Sequence, residues 1–76
     1  MENNILTVFG HRLHDLRLEH GATQKSMAAY LGCTASNYQK IEYGEINAPI
    51  TTLVALSQYF HVSVDYLLGL RDEREC

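Results

Sequence analysis

The sequence predicts an all-α fold of five short helices, and three observations carry that reading. Apolar residues recur at intervals of three and four, the period of one helix face. Ser or Thr stands just before several of these stretches, and Gly just after most of them, as helix caps require. Nothing in the chain has the alternation of a strand or the period of a repeat.

The elements follow in order. Leu6, Phe9, Leu13 and Leu16 form one stripe and Gly21 supplies a stop, which predicts a first helix over about residues 5–20. The Thr23 hydroxyl is placed to accept from the free amides of the next turn. Met27, Ala28 and Leu31 then run to Gly32, predicting a second helix over about 24–31. Only Gly32, Cys33 and Thr34 intervene before a third helix, capped by Thr34, with Ala35, Tyr38 and Ile41 as its apolar positions and Gly44 at its end. A loop runs to Pro49, and Leu53, Val54, Leu56, Tyr59 and Phe60 mark a fourth helix. Ser63 caps a fifth over 64–68, with Asp65 in its first turn, where the helix dipole favours an acid, and Gly69 beyond it. We therefore expect one domain over residues 1–69. The charged tail, 70–76, is expected to fray.

With 76 residues the function must sit on one small core, and 46% hydrophobic against 20% charged residues is the balance of a soluble globular domain. The longest run without charge, residues 46–64, contains Asn47, Pro49, Ser57, Gln58 and His61 and does not read as a membrane span. The first residues lack the basic start of a signal peptide, so a cytoplasmic location is expected. Cys33 and Cys76 lie far apart and read as reduced thiols. His11 and His14 share a helix face, but two ligands without a Cys or carboxylate at metal spacing make a poor site. The histidines read as solvated, and no metal, cofactor or small-molecule ligand is expected.

The net charge of −3 argues against unspecific attraction to nucleic acid. Its distribution softens that objection. From His20 to Ile41 there are two basic residues, Lys25 and Lys40, and no acid, so this segment carries +2 while the remainder carries −5. The same segment holds two short helices joined by a three-residue turn that begins with glycine, the spacing of a helix-turn-helix. A plain helical hairpin has that spacing too. The functional version asks in addition that Ala28 be small where the third helix crosses, and that Tyr38 and Ile41 face inward.

Four strings place the chain more narrowly: Phe9-Gly10-x-Arg12-Leu13-x-x-Leu16-Arg17; Gly21-x-Thr23-Gln24-x-x-Met27-Ala28-x-x-Leu31-Gly32; Ile41-Glu42-x-Gly44; and Phe60-x-Val62-Ser63-Val64-Asp65-Tyr66-Leu67-Leu68-Gly69. In order and spacing they resemble the Cro and phage-repressor (XRE) family of helix-turn-helix regulators, over residues 9–69. The resemblance implies a five-helix bundle of the phage-repressor DNA-binding type and a transcriptional regulator, a repressor before an activator, acting as a dimer on a palindromic operator. Carried over by position, it implies that Gln24 anchors a phosphate by its side chain or by the N-terminal amides of the second helix. Lys25 lies beside it, and Thr34 caps the recognition helix near the DNA backbone. Ala35, Ser36 and Asn37 open that helix, with Gln39 and Lys40 one turn on. Asn37 and Gln39 suit adenine, Lys40 suits guanine or a phosphate, and Ala35 suits a thymine methyl. The plain alternative for each is a solvated polar face. Arg17 and Glu42 resemble the family's partly buried ion pair, and Tyr43 would stand near a phosphate.

Some positions depart from the pattern. Ala35 offers no hydrogen bond, Tyr38 replaces an aliphatic residue and needs a partner for its hydroxyl if buried, and Glu45 brings an acid towards the phosphate path. The dimer seam is expected at Tyr66, Leu67, Leu68 and Leu70, with Leu18 and Val8 as lesser candidates, because so short a segment carries more apolar surface than its core needs. Another function stays open: a protein-interaction module of the same fold, such as an antitoxin or a phage-encoded modulator. Catalysis is not expected, because neither His14 with Asp15 nor Cys33 beside Thr34 has an orienting third group.

Overall fold

Each predicted stripe folds as a helix, and the caps are made as the sequence requires. The computed structural model describes residues 4–75. It contains α1 (Asn4–Glu19), α2 (Gln24–Leu31), α3 (Ala35–Glu42), α4 (Ile50–Phe60) and α5 (Val64–Leu67), with no strand among the described residues. The Thr23 hydroxyl accepts from the Ser26 amide at 2.9 Å, and Ser26 Oγ accepts from the Thr23 amide at 3.1 Å, closing both free donors at the start of α2. Thr34 and Ser63 cap α3 and α5 in the same way, accepting from the amides of Asn37 at 3.0 Å and Tyr66 at 2.9 Å. His61 ends α4 in the left-handed region at φ 57°, a conformation that glycine usually supplies.

Phe9, Leu13 and Leu16 of α1 form the floor of the core, and Met27, Ala28, Tyr38, Ile41, Leu56, Phe60, Val62 and Leu67 close over it. Burying a side chain of this size contributes about 1.5–3 kcal/mol. One contact sets how deeply α3 sits on α1. A Cβ added at Gly10 would overlap the carbonyl oxygen of Glu42 and stand 2.9 Å from its carbon, so α1 needs glycine there for the end of α3 to approach.

Two expectations are corrected. The tail does not fray over residues 70–75. Arg12 donates to the carbonyls of Tyr66 and Arg71 at 2.8 and 2.7 Å and to Asp72 Oδ1 at 3.1 Å. Arg74 grips Glu19 through two bonds of 2.8 Å and donates to the Tyr66 hydroxyl at 3.2 Å. The Tyr66 ring lies against both guanidinium groups, 4.3 and 5.3 Å from its centroid. The second correction follows from the first. Tyr66 and Leu67 are buried in the core of the single chain, so they are not surplus surface for a seam; Leu68 is half-buried and Leu70 is exposed. Cys33 is a free thiol, and Cys76 lies outside the described residues.

His11, His20 and His61 are exposed, as expected, and His14 is half-buried. His20 packs edge-on to Phe60 at 4.9 Å, and its Nδ1 lies 3.2 Å from the Leu16 carbonyl.

Gly10→Ala should therefore destabilise the fold by about 1–3 kcal/mol in urea unfolding, despite alanine's better helix propensity. Gly32→Ala, at φ 75° with open space around it, should lose about 1–2 kcal/mol from backbone strain alone. A Gly10→Ala protein more stable than the parent would contradict the close approach of α1 and α3.

Candidate nucleic-acid interface

The outer surface of α3 is set by what the helix hides. Gly32, at φ 75°, turns the chain sharply between α2 and α3, and the amides of Gly32 and Cys33 close on the carbonyls of Ala29 at 3.2 Å and Ala28 at 3.0 Å. With Ala28, Tyr38, Ile41 and Glu42 buried, the remaining side chains of α3 are turned out: Ala35, Ser36, Asn37, Gln39 and Lys40 are exposed, as are Lys25, Thr34 and Tyr43. The family resemblance implies DNA contacts for these same residues. Glu45, the acid expected near the phosphate path, is exposed beyond the end of α3.

Behind that surface lies a buried carboxylate. Glu42 Oε2 accepts from Arg17 Nε at 2.6 Å and from the Tyr38 hydroxyl at 2.7 Å, which answers the need of the unusual tyrosine for a partner. Glu42 Oε1 stands 3.3 Å from Arg17 Nη2, 3.1 Å from His14 Nδ1 and 3.2 Å from Gln24 Nε2. Arg17 also donates to the Ala22 carbonyl at 3.1 Å, holding the link between α1 and α2. The pair proposed from the sequence thus has three further members. Gln24 is one of them, a half-buried residue whose carbonyl in turn accepts from Gln39 Nε2 at 3.3 Å. A chain of amides therefore runs from the buried acid to the outer face of α3. His14 is the residue that sequence reasoning missed, although its spacing of three from Arg17 places both on one face of α1.

Burial pushes the Glu42 carboxyl up, but hydrogen bonds from Arg17, then Tyr38, His14 and Gln24, outweigh it and hold the group below its ordinary 4.5. The Tyr38 hydroxyl is pushed well up, by burial first and then by its bond to Glu42. The Arg17 guanidinium is held charged by the same carboxylate.

Charge is distributed with a bias that the helices alone do not reveal. All four arginines are committed to internal pairs: Arg12 to Asp72, Arg17 to Glu42, Arg74 to Glu19, and, at 3.7 Å, Arg71 to Asp65. Among the described residues no ion pair involves Lys25 or Lys40, so the two unpaired lysines both lie on the helix-turn-helix.

A carboxyl held low contributes stability that is complete above its unfolded value and is lost as the pH falls through its folded one. Glu42→Gln should cost about 3 kcal/mol near neutral pH, because Arg17 keeps its buried charge without a counter-charge. The gap between parent and variant should narrow as the pH drops below about 4.5. Urea unfolding across that range checks this, and a gap independent of pH would contradict it.

The geometry agrees with what the chain resembles. Residues 13–67 match the family model described as Helix-turn-helix. The SPbeta prophage-derived HTH-type transcriptional regulator YonR of Bacillus subtilis (strain 168) is 41% identical over 61 residues, covering 80% of this chain and 56% of the relative. The HTH-type transcriptional regulator ImmR of the same organism is 39% identical over 64 residues, covering 84% and 50%. The chain thus spans about half the length of these relatives. Among solved structures, a transcriptional regulator from Listeria innocua superposes with a TM-score of 0.77 at 33% identity, covering 80% of this chain and 57% of that one. The restriction-modification controller protein C.AhdI from Aeromonas hydrophila superposes with a TM-score of 0.72 at 27% identity, covering 82% and 94%. The match of sequence, spacing and fold over most of its length shows that this chain belongs to the XRE-type helix-turn-helix family of transcriptional regulators.

Proposed function

We propose that the chain binds double-stranded DNA in a sequence-specific way and regulates transcription, as a repressor, from a palindromic site occupied by a homodimer in the cytoplasm. The observation that carries this reading is the outer face of α3. Ala35, Ser36, Asn37, Gln39 and Lys40 are exposed there, within a segment of an acidic protein, His20 to Ile41, that carries two lysines and no acid. In this reading α3 lies in the major groove. Asn37 and Gln39 face adenine edges, Lys40 faces guanine or a phosphate, and Ala35 meets a thymine methyl. Gln24, Thr34, Lys25 and Tyr43 contact the strands on either side and set the register without reading sequence.

The bond from Gln39 to Gln24 supports a preorganised reader: a glutamine already held loses less rotamer freedom when it meets a base. Two-fold pairing would bring in a second α3 and double a footprint that is otherwise a few base pairs. The seam proposed for it centres on Leu70 and the half-buried Leu68, with Leu18 in support, since Leu70 and Leu18 remain 67% and 56% exposed.

Selection of bound sequences from a random duplex pool tests the whole reading. The expected result is two half-sites about 10–10.5 base pairs apart. Gln39→Ala should relax preference at one position, by about 1–3 kcal/mol. Lys40→Ala, if the lysine meets a phosphate, should weaken binding evenly and lower the salt slope by about one. No retention on DNA even at low ionic strength would overturn the proposal.

A further inference from the structure

His14 occupies a position that its neighbours do not explain as packing. Its side chain is 45% exposed, yet Nδ1 lies 3.1 Å from Glu42 Oε1 and 3.3 Å from Arg17 Nη2. The first neighbour needs a donor and the second an acceptor, and one ring nitrogen is only one of these at a time. A neutral ring therefore serves either Glu42 or Arg17. A protonated ring serves Glu42 through Nδ1–H and keeps Nε2–H as a second donor.

The ring also lines an open cleft of about 370 Å³, with Thr7, Gly10, His11, Glu42 and Tyr43 as its other walls. This cleft meets the proposed DNA face at Tyr43. Tyr43 caps α3, and Gln24, the expected phosphate anchor, shares Glu42 Oε1 with His14. The charged and titratable groups around His14 are Arg17 and His11 of α1, and Glu42, Tyr38 and Tyr43 from α3 and its cap. Gln24 of α2 is neutral. Glu42 is the acid bonded to His14 and Arg17 already balances it, while Asp15, the next residue of α1, is exposed; a proton on His14 adds one positive charge to the cluster. That matters here because the arginines are spent on internal pairs, leaving two lysines for the phosphates.

We propose that His14 is a proton-controlled phosphate contact of the DNA interface, its charged imidazolium holding a backbone oxygen at the mouth of this cleft beside Gln24. The inference rests on the DNA-binding reading. It predicts that DNA is bound more tightly at about pH 6 than at about pH 8.

The test is binding of the full chain to a random-sequence duplex of about three helical turns, at about pH 6 and about pH 8, over a range of salt. The parent should bind about three- to tenfold more tightly at the lower pH, with a salt slope steeper by about 0.9, the signature of one added phosphate contact. His14→Gln should bind equally at both pH values with the shallower slope. His14→Lys should show the steeper slope at both, a result that a purely structural role would not produce. His20→Gln should keep the parent's pH dependence. Thermal unfolding of each variant at both pH values shows that the binding differences are not unfolding. The proposal is overturned if the parent binds DNA without pH dependence, or if His14→Gln retains the parent's. If the parent binds no DNA at either pH, the DNA-binding reading falls and this one with it.

Discussion

One buried carboxylate holds the arrangement of the first three helices. Glu42, at the last turn of α3, receives bonds from Arg17 and His14 on α1, from Gln24 at the start of α2, and from Tyr38 within α3. Removing an acid from water is costly, and a buried ion pair is seldom worth more than well-packed apolar groups of the same size. Its effect here is positional. Donors arriving from three helices fit Glu42 only when those helices stand at one height and rotation, and the Cβ-free surface at Gly10 lets α3 come close enough for the fit. The outer face of α3 is thereby set from behind.

That dependence joins stability to recognition. The amide chain from Glu42 through Gln24 to Gln39 means that the residue proposed to read a base is braced by the residue proposed to hold a phosphate, and both by the buried acid. The same economy governs charge. Because the four arginines answer acids elsewhere on the chain, the cationic character of the proposed DNA face rests on Lys25 and Lys40.

The helices and their ends were legible in the sequence because their determinants are local. Thr23, Thr34 and Ser63 bond amides only three residues away, and Gly32 sets its own turn. Arg17 and Glu42 were legible only through resemblance, being far apart in the chain. The Tyr38 hydroxyl announced its need for a partner, and that partner lay one helical turn on. What could not be read were the contacts between distant segments. His14 gives no sign that Glu42 will rise beside it. Nothing in a charged tail says that Arg74 will reach back to Glu19, or that Arg12 will hold residues 71 and 72. Tyr66 and Leu67 were misread for the same reason: an apolar residue on a short helix looks the same whether a core or a partner covers it, and here the core does.

The most direct test of Glu42 as the organising group is a double-mutant cycle in urea unfolding with Arg17→Met, Glu42→Leu and the two together. Each single change strands a buried partner and should cost about 3–5 kcal/mol, whereas the double change removes both charges and should cost less than their sum by about 2 kcal/mol or more. Strictly additive losses would contradict the account.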